Sequence, residues 1–383
     1  MTEGAIPLSD PDITSAELEA VRAALQLPSL TGGPRVQAFE QAFAAYLGRE
    51  HAVAFCGGQM ALMMALKACG VGAGDEVIAS PYSYREAVNA IALLGAKPVF
   101  SDIDYWSGAL VAEKIEPRLT SRTRAIVGGN PNGHPAAWSS LRKLAEWRGL
   151  TLIEDSTEAI GSSYRGALVG TFGDCSVFDF SQPGPISCGE GGMVVTDDPL
   201  VAAALRRHRG RRPDQRASVS GGTVVAHQVG MSDIAAALGL AQLQRLDTIL
   251  AKRKTVELYY GEYIRSFEGI KPPFVAPEVD EIHWFLYVVH LGTRFTRTSR
   301  DAIVDDLLTE QVTAAAYALP LHLRSVYLEA GYKRGDYPMT EKVADRAVAL
   351  PFHTHLTESK VAFIAQTLKD ASINVGAGAA IYL

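Results

Sequence analysis

A chain of 383 residues, 48% hydrophobic and 20% charged, is long enough to bury one large core or two. Its net charge of −6 gives nucleic acid no reason to bind, and no apolar run reaches the ~18–20 residues of a membrane span. Met1-Thr2-Glu3-Gly4 lacks a basic and an apolar leader region, and Cys56, Cys69, Cys175 and Cys188 show no paired spacing, so a cytoplasmic chain with reduced thiols and no metal is expected.

Apolar residues recur at helical spacing over 17–25 and 36–47. A short buried-strand pattern at 51–55 breaks at Cys56-Gly57-Gly58, and an apolar helix follows over 60–69. Strand 76–79, helix 86–94 and strand 98–100 come next. Strands 125–127 and 151–153 flank a helix at 139–148, and two further strands occupy 176–180 and 193–196. This alternation predicts an α/β domain around a mainly parallel sheet, flanked by helices, over residues 1–250. Long helices at 234–247 and 251–267, then a strand at 285–291, predict a smaller C-terminal α+β domain over 251–383. Arg206, Arg207, Arg209, Arg211, Arg212 and Arg216 form a basic run, read either as a solvated loop or as a grip on an anionic substrate such as a diphosphate.

Several segments carry specific wording. They include Leu30-Thr31-Gly32-Gly33-Pro34, Gly74-Asp75-Glu76-Val77-Ile78, Gly95-Ala96-Lys97-Pro98, Ile153-Glu154-Asp155 and Phe172-Gly173-Asp174. Gly189-Glu190-Gly191-Gly192, Met231-Ser232-Asp233 and Pro320-Leu321-His322 follow in order. Together they resemble the DegT/DnrJ/EryC1/StrS sugar aminotransferases over nearly the whole chain. The resemblance implies fold type I of the pyridoxal 5′-phosphate (PLP) enzymes, and a homodimer with each active site at the subunit interface. It also implies a setting in aminosugar or antibiotic biosynthesis.

The resemblance implies a Schiff-base lysine about five residues before Gly189, where this chain has Gly184 in Phe180-Ser181-Gln182-Pro183-Gly184. Some members replace that lysine with histidine and use unlinked pyridoxamine 5′-phosphate (PMP); Gly184 supplies no side chain for that role either. Asp155 falls at the position of the family's pyridine partner, and Tyr84 at that of its stacking aromatic. Gly57-Gly58-Gln59 stands where the family reads Ser-Gly-Thr, and Asp179 where a serine meets the phosphate. A carboxylate ~4 Å from a phosphate charge, at an effective dielectric of ~20, costs on the order of 4 kcal/mol. Glu158 stands for a glutamine near the cofactor's phenolic oxygen. Gln228 and Gly230 fall where an asparagine and an arginine reach the neighbouring subunit.

These departures predict a chain with no cofactor, in which Asp155, Glu158 and Asp179 form an acidic cluster in the old cofactor cleft. Crowded carboxylates raise at least one pKa and make an acid/base pair plausible; they also suit an ammonium group or a divalent metal. Gly58, Gln59, Ser83, Tyr84, Asn130, His134, Gly184 and Gln228 are the expected walls, around a small polar metabolite that is sugar-like or amine-bearing. Two other readings stay open. One is a non-catalytic subunit paired with an active paralogue; the other is an enzyme holding PMP or PLP without a covalent link.

Overall fold

The computed structural model describes residues 4–210, 227–265 and 267–380. Helix α1 (Ser15–Leu25) starts at a capping box in which Thr14 and Glu17 bond reciprocally. Helix α2 (Pro34–Leu47) opens on a proline and ends at Gly48, whose φ of 68° is left-handed. Strand β1 (His51–Phe55), helix α3 (Gly58–Ala68), β2 (Glu76–Ala79), α4 (Arg85–Leu93) and β3 (Lys97–Phe100) follow. Then come α5 (Ala112–Ile115), β4 (Thr123–Gly129), α6 (Trp138–Arg148) and β5 (Thr151–Asp155). The short strands β6 (Ser163–Tyr164) and β7 (Ala167–Leu168) precede β8 (Cys175–Asp179), β9 (Gly192–Thr196) and α7 (Pro199–Arg209).

The large sheet has seven strands in the order β1-β9-β8-β5-β4-β2-β3. Strands β3, β2, β4, β5 and β8 pair in parallel, whereas β9 is antiparallel to both β8 and β1. All four residues of β2 are buried, as expected for a strand covered on both faces. Leu62, Met64, Val77 and Ile91 pack one face, while Phe39, Phe43, Phe178 and Phe180 fill another. Gly192 lets β9 pass close to the start of α3: a Cβ there would lie 2.5 Å from the Gly57 carbonyl oxygen.

A second sheet joins Ile270–Lys271, Tyr287–Leu291, Ala347–Leu350 and Ala315–Ala316. Its core includes Tyr260, Tyr287, Ile303 and Leu368, together with Ile6 from the start of the chain. Ile6 bridges to Val312, and the helix Leu246–Ile264 runs across residue 250. The expected division at 250 therefore cuts a helix, and the second core recruits an N-terminal residue that local periodicity did not connect with it.

Buried Arg253 donates to the carbonyl oxygens of Trp284 and Phe285 at 2.8 Å and of Phe352 at 3.2 Å. Burial lowers its pKa to about 10. Of the basic run, Arg209 pairs with Glu40 and donates to the Ala54 carbonyl, a structural task. Arg211, Arg212 and Arg216 lie outside the described residues. No described helix is long and apolar enough to cross a membrane.

Candidate functional site

The ends of β4, β5 and β8 meet the start of α3 around a cleft of about 550 Å³, the usual place for a ligand in an open α/β sheet. Five carboxylates line it: Glu86, Asp155, Glu158, Asp179 and Glu190. No lysine, arginine or histidine among the described residues does so. No described group of three or more His, Cys, Asp or Glu is arranged to hold a metal ion.

Asp155 is the last residue of β5, and its Oδ1 accepts from the Thr157 amide at 3.2 Å. Burial pushes its pKa up, and the charges of Asp179 and Glu154 add to the rise. Beneath it, buried Glu154 accepts from the Gly170 and Phe172 amides at 2.7 and 2.8 Å and from Ser176 Oγ at 3.0 Å. Asn130 donates to Glu154 and to the Asp155 carbonyl, and its Oδ1 accepts from the Trp138 indole at 2.8 Å. Asn130 thus lines the cleft with its amide already committed to the scaffold.

Glu158 is buried deeper. Its Oε2 accepts from the Asn132 amide and, at 2.5 Å, from the Tyr317 hydroxyl, while its Oε1 is buried with no partner among the described residues. Burial raises its pKa from 4.5 to about 7, with Asp155 adding to the rise. Folding therefore favours the protonated form. That contribution is complete below pH 4.5 and is lost as the pH rises through about 7. Glu158→Gln, which cannot ionise, should melt at a higher temperature than the parent at about pH 8 and lose the parent's decline in melting temperature across this range. An unchanged pH slope in the variant would assign the titration to another group.

Asp179 ends β8 and turns onto the start of α3. Its Oδ2 accepts from the Gly58 amide at 2.7 Å, and its Oδ1 from the Ser181 amide at 2.6 Å. A Cβ at Gly58 would lie 2.3 Å from Asp179 Oδ2, so only glycine permits this approach. The carboxylate thus caps a helix whose own N-cap, Gly57, has no side chain to do so.

Gln59, Ser83 and Tyr84 also line the cleft. Tyr84 is 45% exposed, stands edge-on to Phe285 and brings its hydroxyl toward Glu158. Three expected walls lie elsewhere. His134 bonds through Nδ1 to the Pro135 carbonyl and accepts from the Ala276 amide at Nε2, so its ring faces a separate hollow beside Phe274. Gln228 is exposed near Gly210. Gly184 sits behind Ser181, Gln182 and Pro183, which do line the cleft. A Cβ at Gly184 would meet nothing closer than the Ile186 carbonyl oxygen at 3.5 Å. Sequence reasoning missed Tyr317 and Phe285, which arrive from beyond the first sheet, and Glu190, which the Gly-Glu-Gly-Gly turn carries to the rim.

The sequence profile of the DegT/DnrJ/EryC1/StrS aminotransferase family matches residues 11–369. The spore coat polysaccharide biosynthesis protein SpsC of Bacillus subtilis (strain 168) is 31% identical over 376 residues, covering 95% of this chain and 96% of that one. Spr1654 from Streptococcus pneumoniae in its PMP form superposes with a TM-score of 0.91 at 26% identity, covering 98% of this chain and 99% of that one. The aminotransferase TlmJ from Streptoalloteichus hindustanus gives 0.88 at 30% identity, over 97% of this chain and 100% of that one. These matches correct the expectation of a chain without cofactor: the family is one of aminotransferases, and Spr1654 has been solved in PMP and PLP forms. That expectation rested on the residues at the phosphate and lysine positions, Asp179 and Gly184, more than on Asp155, which lines the cleft and which the resemblance sets at the pyridine ring. The chain belongs to the DegT/DnrJ/EryC1/StrS aminotransferase family.

Proposed function

We propose that this chain holds a pyridoxamine- or pyridoxal-type cofactor by its ring, with no covalent tie because Gly184 takes the place of the lysine, and works on a sugar-like polar metabolite. The observation that carries this reading is a cleft with acids at its ring end and no lysine among its described lining residues. When bound, such a cofactor supplies an electron sink for amino-group transfer or for loss of a proton beside a carbonyl.

The ring end fits that group. A pyridinium nitrogen brought against Asp155 would hold its carboxylate ionised despite burial. The Glu158 Oε1, without a partner among the described residues, can face a ring oxygen, and with a pKa of about 7 the carboxyl can hold or yield a proton there near neutrality. Tyr84 and Phe285 supply aromatic surface at the cleft wall. The phosphate end does not fit, because Asp179 already caps α3. A cytoplasmic homodimer is part of this reading, with the segment around Gln228 turned toward a second copy.

Incubation with pyridoxal, borohydride treatment and intact-mass measurement test the missing tether. The expected result is cofactor retained before denaturation and an unmodified polypeptide mass afterwards. A stoichiometric adduct on any lysine would overturn the reading.

A further inference from the structure

We propose that Asp179 is a resident anion at the phosphate end of the cleft, so that the vitamer this site selects is the unphosphorylated one, pyridoxamine or pyridoxal. This rests on the ring-binding reading above and adds which form of the cofactor is taken.

A helix N-terminus offers backbone N–H groups and a partial positive charge, and anions settle there. The start of α3 is such a place, and it faces the cleft through Gly57, Gly58 and Gln59. Its first amide is already bonded to Asp179. The carboxylate is held by two donors, the Gly58 amide and the Ser181 amide, and the Asp179 main chain is pinned by its N–H donating to Thr157 Oγ1 at 3.1 Å. It lies so close to the helix that Gly58 has room for hydrogen alone on its α-carbon. The Gln59 and Met60 amides have no partner among the described residues, but they sit within one turn of the same carboxylate.

A second, independent observation points the same way. A phosphate dianion entering this cleft meets Glu86, Asp155, Glu158, Asp179 and Glu190 with no described cationic side chain on the lining to offset them. Pyridoxamine lacks the dianion and carries an ammonium group, so the same wall attracts it. Its ring still finds Asp155 and the Glu158 Oε1, which has no partner among the described residues.

Equilibrium dialysis of pyridoxamine and, separately, of PMP against the purified full chain tests this. Wild-type protein is expected to bind pyridoxamine about a hundredfold more tightly than PMP, from one like-charge contact in a partly solvated cleft. Asp179→Asn keeps an acceptor for the Gly58 amide without the charge, and Asp179→Ser removes the carboxylate; both should shift the preference toward PMP by tenfold or more. Tighter binding of PMP by the wild type overturns the proposal while leaving ring binding intact. So does a preference ratio unchanged in Asp179→Asn. Binding of neither vitamer to the wild type overturns both readings together. The wild-type comparison decides even if a variant fails to fold.

Discussion

A chain carrying Gly184→Lys together with Asp179→Ser is expected to attach PLP covalently, with borohydride fixing the adduct at residue 184 in close to stoichiometric yield. The parent should show none. The backbone at Gly184 is outside the left-handed region, and the nearest neighbours of an added Cβ are the Ile186 carbonyl oxygen at 3.5 Å and Phe285 at 3.7 Å. These are ordinary van der Waals contacts, so a side chain enters without moving the main chain. The preceding Ser181, Gln182 and Pro183 line the cleft, so a lysine's long stem starts one residue from it. The second change matters because an amine among carboxylates stays protonated and unreactive, and because Asp179 opposes the phosphate. Gly184→Lys alone should therefore give a lower yield than the pair. Peptide mapping reads the result directly. A double variant that folds, binds PLP and still yields no adduct at residue 184 would mean that this position does not address the cleft.

Glu154→Ala should produce the largest loss of stability of any single change near the site, about 3–5 kcal/mol. Its carboxylate is fully buried and gathers five donors. The amides of Gly170, Phe172 and Gly173, the Ser176 hydroxyl and the Asn130 amide all point at it. Alanine takes this acceptor from the Gly170, Phe172 and Gly173 amides and the Ser176 hydroxyl, while the Asn130 amide keeps the Asp155 carbonyl. Against a total of roughly 5–15 kcal/mol for a folded protein, such a loss leaves little native chain at 37 °C. Urea midpoints measure it, and Glu154→Gln should fall between the two because it keeps one acceptor oxygen. A shift below about 1 kcal/mol for the alanine variant would contradict this account of how the β5 end is held.

How far the site could be read from sequence follows from where each residue sits. Asp155 and Asp179 end strands of the large sheet, Asn130 directly follows one, and Gly58 opens the helix three residues beyond another. The strands themselves were legible as short apolar runs, and parallel strands in one sheet deliver their ends to one rim. Helices begin one or two residues before the first apolar repeat, as at Ser15 and Gly58, because the first turn is set by capping. The reversed direction of β9 was not legible, since alternation of apolar residues carries no sense of strand direction. His134 looked available because its two acceptors and donors, the Pro135 carbonyl and the Ala276 amide, include one from 142 positions away. Tyr317 reaches Glu158 across 159 positions, through the second sheet, and no local pattern announces such a contact.

The Arg253 clasp has a consequence for the wall of the cleft. Its guanidinium fastens the Phe285 carbonyl to the second core, so that the Phe285 side of the cavity resists displacement. Edge-on against Phe285, Tyr84 stands at the N-cap of α4 with no side-chain cap and leaves nearly half its surface in water. Because the two rings touch edge-on at the cleft wall, loosening Arg253 would loosen both of them together.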